Sequence, residues 1–320
     1  MQRIARLRDL PAVSSRVVIV NCGTRLVTSL ALVSAHRHAD APILVIDCES
    51  RDDSARYFAH LARRHPIAFD WLEWPLRPHG ATLDAVLREV RAATVLLVDS
   101  DLELRDRSVC DAMRTALAED PQAYGSGFLH GPQWLGRANG LPEHVAYYAA
   151  RMWIPCTLLR TEPIRAALQA GASFRSSRRY FELGRFPRAS RLGYLRYRVP
   201  GLRALRLPAA ATARASQPPA IDGRQPVAID YDTGAALHER LLAEGFRFAA
   251  LPQALWGDVA HHHGVTRAKR DKAIRRAARS LGLVATGDVS DRAVVAQTVR
   301  ARLRDAYGVD VAALEGALRG

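Results

Sequence analysis

Apolar positions in the first hundred residues fall into short runs that alternate with stretches of helical spacing. Val17-Val18-Ile19-Val20 is a β-branched run that ends at Asn21-Cys22-Gly23, the mark of a strand entering a turn. From Leu26 to His38 the apolar residues Leu26, Leu30 and Val33 recur on one helical face. A second strand is expected from Ile43 to Ile46, ending in Asp47, then a helix over Arg51 to Arg64 and a third strand from Phe69 to Trp74. Thr82 to Ala92 reads as an amphipathic helix with Leu83, Val86, Leu87 and Val90 inward. It leads into a largely apolar strand, Thr94 to Val98, that stops at Asp99. Strands that are apolar on both faces and alternate with helices predict a mostly parallel, Rossmann-like α/β sheet covered on both sides. Ligands of such sheets bind beyond the carboxyl ends of the strands, where Asp47 and Asp99 both stand.

The pattern then loosens. Gly125 to Gly140 mixes glycine with aromatic and polar residues and reads as a loop over a site. Trp153 to Leu159 is expected as a strand, with a helix from Glu162 to Ala170. From 175 to about 225 an insertion is expected: arginine interleaved with Tyr, Phe and Leu, then a run of Ala, Pro and Ser like a flexible linker. Ala235 to Glu244 reads as a helix ended by Gly245, with Asp232 and Thr233 as capping candidates, and Phe246 to Leu251 as a short strand. Beyond His261-His262-His263, residues 266–320 read as a basic helical extension.

Charge sharpens the picture. The 320 residues carry a formal net charge of +14, nearly all of it arginine, since Lys269 and Lys272 are the lysines. An excess of this size points to a negatively charged partner: a nucleotide, an anionic membrane face or nucleic acid. No RNA- or DNA-binding signature accompanies the arginines, which speaks against nucleic acid. Cys22, Cys48, Cys110 and Cys156 form no CxxC pair and read as reduced thiols in a cytoplasmic protein, one that could touch the inner membrane face. Met1 to Arg16 lacks the apolar core of a signal peptide, and no apolar run approaches the roughly 20 residues of a membrane span.

The chemistry concentrates at Leu96-Leu97-Val98-Asp99-Ser100-Asp101. Two carboxylates at the end of an apolar strand offer hard oxygen ligands suited to Mg²⁺ or Mn²⁺ and to the diphosphate such ions bridge. A capped strand end would use the same residue types. Together with Val45-Ile46-Asp47-Cys48-Glu49-Ser50, this run resembles the glycosyltransferases of the GT-A fold, family two. The resemblance implies a GT-A nucleotide-sugar half over residues 1–141, an acceptor half over 142–265, and Mn²⁺ or Mg²⁺ as cofactor. It implies Asp101 as metal ligand, Asp99 as a ribose or diphosphate contact and Asp47 as a base contact. Cys48 and Glu49 depart from the family, which has an acid or Asn and then Gly there. The family's Asn in the preceding helix is also missing, and Asp84 or His79 is the candidate for its place.

Asp230-Tyr231-Asp232-Thr233-Gly234 is similar to the motif that supplies the catalytic base of inverting members. Asp232 is favoured over Asp230, although an acid there also suits the positive end of a helix. The family often closes its metal site with a histidine after the last core strand, which suggests His263 and then His261. Neighbours alternate along an extended chain, so His262 would face away from those two. The function implied is inverting transfer of a sugar from a nucleoside diphosphate sugar donor. The acceptor stays open among a glycan, a lipid-linked molecule and a small molecule. A nucleotidyltransferase of similar sheet topology, and a non-catalytic protein that binds nucleic acid or a membrane surface, are the alternatives.

Overall fold

The computed structural model describes residues 1–137, 145–180, 228–262 and 290–318. Its centre is an eight-stranded sheet in the order β1-β4-β3-β2-β5-β10-β7-β13. The strands are β1 (Gln2–Ile4), β2 (Val13–Asn21), β3 (Ile43–Cys48), β4 (Asp70–Trp74), β5 (Ala92–Asp99), β7 (Ala123–His130), β10 (Arg151–Arg160) and β13 (Arg247–Ala250). All neighbours run parallel except β10, which is antiparallel to both β5 and β7. The expected Rossmann-like, mostly parallel sheet is thus observed, and residues before and after the expected boundary at 141 both supply strands to it.

The sheet is covered on both faces because its central strands carry unbroken apolar runs, Val17–Val20, Ile43–Ile46 and Val95–Val98. Val17 and Ile19 of β2, Val45 of β3 and Leu96 and Val98 of β5 pack into one core. Helices α1 (Arg25–His38), α2 (Ser54–Arg64) and α4 (Ser108–Glu119) cover that face. The alternate residues Val18, Leu44, Ile46, Val95 and Leu97 pack into the other core, under α3 (His79–Glu89), α5 (Thr161–Gln169) and α6 (Ala235–Ala243). The C-terminal helices α7 (Ser290–Tyr307) and α8 (Val311–Gly316) join the first face through Val299, Leu303, Val311 and Leu314. Beneath the sheet's edge Arg16 is wholly buried; its guanidinium donates to Asp70 Oδ2 (2.9 Å) and to the Pro11 carbonyl (3.2 Å). No helix among the described residues is long and apolar enough to cross a membrane.

Three local expectations change. The helix expected over Thr82 to Ala92 starts at His79 and ends at Glu89, because Ala92 already pairs with Val13 as the first residue of β5. The glycine-rich stretch expected as a loop forms strand β7 and strand β8 (Gln133–Arg137). Gly125 and Gly127 make room rather than turns: a Cβ on Gly125 would lie 2.8 Å from Leu159 Cδ2, and one on Gly127 2.9 Å from the Cys156 carbonyl oxygen. Helix α6 is entered through Gly234 at φ 83°, where left-handed backbone favours glycine, and neither Asp232 nor Thr233 caps it with a side chain.

Short strands complete the functional end. β6 (Leu102–Leu104) pairs antiparallel with β14 (Val259–His261). β11 (Ser177–Tyr180) and β12 (Ala228–Tyr231) join β8 and β9 (Val145–Tyr148) in a four-stranded sheet. Of the Arg/aromatic insertion expected from 175 to about 225, Ser177–Tyr180 form β11; its residues from 181 onward, and His263, lie outside the described residues.

Candidate active site

β5 delivers Asp99 to the carboxyl edge of the sheet, and the chain turns through Ser100 and Asp101 into β6. The β6–β14 register places Leu102 opposite His261, and the His262 amide donates to the Asp101 carbonyl (2.8 Å). This pairing brings His261 to Asp101, with Nε2 3.0 Å from Oδ1. Asp99, Asp101 and His261 each offer a ligand atom, and these atoms lie within 4.8 Å of one another. Divalent ions such as Mn²⁺ and Mg²⁺ hold their ligands at about 2.1 Å, so neighbouring ligand atoms stand about 3 Å apart and opposite ones about 4 Å apart. Two carboxylates and an imidazole at these separations fit such an ion.

Electrostatics favour a cation there. Burial first, and then the neighbouring charges of Asp101 and Asp232, push the Asp99 carboxyl above its ordinary range; His79 and His261 pull it back. His79, in the first turn of α3, has Nε2 3.8 Å from Asp99 Oδ1. Behind the site, fully buried Glu103 is gripped by Arg302 of α7 and the Tyr307 hydroxyl (3.1 Å), with His262 Nε2 3.5 Å away. Burial works against its ionisation, but nearby His262 and the hydrogen bonds from Arg302 outweigh it and hold its pKa at about 2. The C-terminal helix is therefore tied to the strand that follows the acidic pair.

Asp47, at the end of β3, accepts from Asn21 Nδ2 (2.6 Å) at Oδ1 and from the Ser50 amide (3.1 Å) at Oδ2. It also borders an open cleft of about 500 Å³ with Glu49, Arg51, Glu73 and Trp74 among its walls. Asp84 is differently placed. Its oxygens accept from the Ser173 hydroxyl (2.6 Å) and the Phe174 amide (2.7 Å), so it fastens the segment after α5 to α3. Of the two residues weighed for the missing asparagine, His79 is the one beside the acidic pair.

Asp230 is mostly buried in β12, opposite Tyr148 and Arg178. The Asp232 side chain is 51% exposed, its Oδ2 3.5 Å from Arg151 Nε, and its charge is felt at Asp99. Trp256 is a further residue at this end that the sequence pattern did not single out. Cys48, Cys110 and Cys156 are buried free thiols; burial pushes those of Cys48 and Cys110 up to about 11 and about 12.

No family model matches the sequence, and no curated protein matches it. Among solved structures, the chain matches a mannosyltransferase from Pyrobaculum calidifontis in complex with GDP-Man and Mn²⁺, at 17% identity and a TM-score of 0.38, over 49% of this chain and 46% of that one. It matches glucosyl-3-phosphoglycerate synthase from Mycobacterium tuberculosis, in complex with Mn²⁺, UDP and glucosyl-3-phosphoglycerate, at 16% identity and 0.33, over 47% and 58%. It also matches 4-diphosphocytidyl-2C-methyl-D-erythritol synthase from Anaerococcus prevotii at 10% identity and 0.36, over 51% and 76%. The chain spans about half the length of the two sugar-handling proteins.

Proposed function

We propose that the protein is an inverting glycosyltransferase that moves a sugar from a nucleoside diphosphate donor to an acceptor hydroxyl. The observation that carries the reading is the convergence of Asp99, Asp101 and His261 at the carboxyl end of β5. These residues would hold Mn²⁺ or Mg²⁺, an ion that neutralises charge on a diphosphate when bound. Asp47 borders the cleft assigned to the base and ribose, while Asp84 fastens Ser173 and Phe174 to α3. Asp232, exposed and facing the acidic pair, is the base, with Asp230 behind it in the strand. Asp232 takes the proton of the acceptor hydroxyl as its oxygen bonds to the anomeric carbon and the bond to the diphosphate breaks. In this reading residues 1–141 serve the donor, 142–265 the acceptor, and 266–320 form the helical extension, with His263 a further ligand candidate. We place the reaction in the cytoplasm, where the +14 charge also suits an anionic membrane face.

Nucleotidyl transfer is the second reading, and the turn after β2 argues against it. Such enzymes present the backbone amides of that turn to phosphates, whereas here the Gly23 amide is donated to Ser50 Oγ (2.6 Å). Titration calorimetry with UDP and GDP, with and without Mn²⁺, tests the proposal. One of the two should bind in a metal-dependent manner, and Asp101→Ala should weaken that binding at least tenfold. Absence of nucleoside diphosphate binding, or binding untouched by Asp101→Ala, refutes it.

A further inference from the structure

A group of aromatic rings beside the acidic cluster has no part in the donor chemistry. Trp153 of β10 meets the His261 ring edge to face, with centroids 5.6 Å apart. Trp256 lies 4.6 Å from Trp153 and 4.6 Å from Phe128 of β7, and the His130 ring is 6.2 Å away. Phe128 and Trp153 are buried, as core aromatics are, yet Trp256 is 42% exposed. It sits in a 3-10 turn, Gln253–Asp258, anchored where Ser108 Oγ donates to Asp258 Oδ2 (2.7 Å) and the Arg105 amide to the Asp258 carbonyl (2.7 Å). A large ring is thus held on a fixed support, open to solvent, one ring away from the histidine of the acidic cluster.

Its surroundings are polar. Arg151 and His130 are paired neighbours on β10 and β7, and the charges of Arg151 and Asp232 both act on His130. Nη1 of Arg151 is buried and makes no hydrogen bond among the described residues, while Nε is 3.5 Å from Asp232. An acyl chain would need apolar surface to continue past Trp256, whereas a pyranose has an apolar face of C–H groups rimmed by hydroxyls. That shape matches an indole beside the His130 imidazole, on which the charges of Arg151 and Asp232 act.

We propose that Trp256, beside His130, is the platform on which a pyranose ring of the acceptor stacks, with one hydroxyl directed to Asp232. The proposal rests on the glycosyl-transfer reading and narrows its acceptor to a sugar-bearing molecule. The indole holds the ring's C–H face, and the Arg151 guanidinium, already at Asp232, donates to a ring hydroxyl.

Saturation-transfer NMR on the full chain with Mg²⁺ and UDP or GDP tests it. The probes are the methyl pyranosides of glucose, galactose, mannose and N-acetylglucosamine. At least one should receive saturation, strongest at the C–H protons of one ring face. Trp256→Ala should weaken its binding about three- to tenfold, and Trp256→Phe should restore most of it. Nucleotide titration of Trp256→Ala should match the wild type. If nucleotide binds but no glycoside receives saturation, or the glycoside binds Trp256→Ala as tightly as the wild type, the platform is refuted and the donor reading stands. If no nucleotide binds the wild type, the transferase reading fails first.

Discussion

His238 offers a quantitative test of how the second core is built. It lies in α6, almost fully buried, with its Nδ1 hydrogen-bonded to the Tyr124 hydroxyl of β7 and its ring edge-on to Phe248 of β13. Burial lowers its pKa to about 4, against about 6.5 in an unfolded chain. The folded protein thus holds this imidazole neutral, while the unfolded chain binds a proton between pH 6.5 and 4. The stability that comes from keeping it neutral is present above pH 6.5 and is lost as pH falls toward 4. At pH 5 the loss for a shift of this size is about 2 kcal/mol, approaching about 3 kcal/mol below pH 4. His238→Gln keeps an acceptor for Tyr124 and cannot titrate. Urea denaturation of both proteins at pH 7 and pH 5 isolates the effect, since every other group titrates in both. The wild type should lose about 2 kcal/mol more than the variant over that interval. Parallel losses would show that His238 is not held neutral by the fold.

Three further outcomes follow from the packing. In Gly80→Ala the new methyl would sit 2.5 Å from the Phe174 carbonyl oxygen; a loss of about 1–3 kcal/mol in denaturation is expected, and an unchanged midpoint would refute the contact. Asp70→Asn removes the charge that faces buried Arg16 and should cost about 3 kcal/mol, read by the same assay; a loss below about 1 kcal/mol would refute the pairing. Arg302→Ala leaves Glu103 ionised at full burial. Because Arg302 itself is partly exposed, about 2–3 kcal/mol is expected, and hydrogen exchange at Leu102–Leu104 should rise. Unchanged exchange would mean that α7 does not brace this strand.

Much of the donor side of the fold was legible in the chain. Runs such as Ile43-Leu44-Val45-Ile46 and Leu96-Leu97-Val98 are apolar at every position, which suits a strand buried on both faces, and their ends locate Asp47 and Asp99 at one edge of the sheet. The amphipathic spacing of α1 and α3 is equally local information. Glycine misled at β7, because a residue without a side chain marks a turn and a close approach of backbones alike. The three-residue strands β6 and β14 are too short for any periodicity to register.

The sequence by itself determined the alternation of strands and helices, the acidic pair at the end of β5 and the cation-rich surface, since each depends on neighbours along the chain. Only the tertiary structure decided which side chains meet at the acidic pair. His261 reaches Asp101 across 160 positions, because antiparallel pairing sets Leu102 opposite His261. The tertiary structure also turned Asp84 onto Ser173 and Phe174 and set Trp256 beside Trp153. Those choices depend on register and packing between distant segments, where a shift of one residue would send a side chain to the other face.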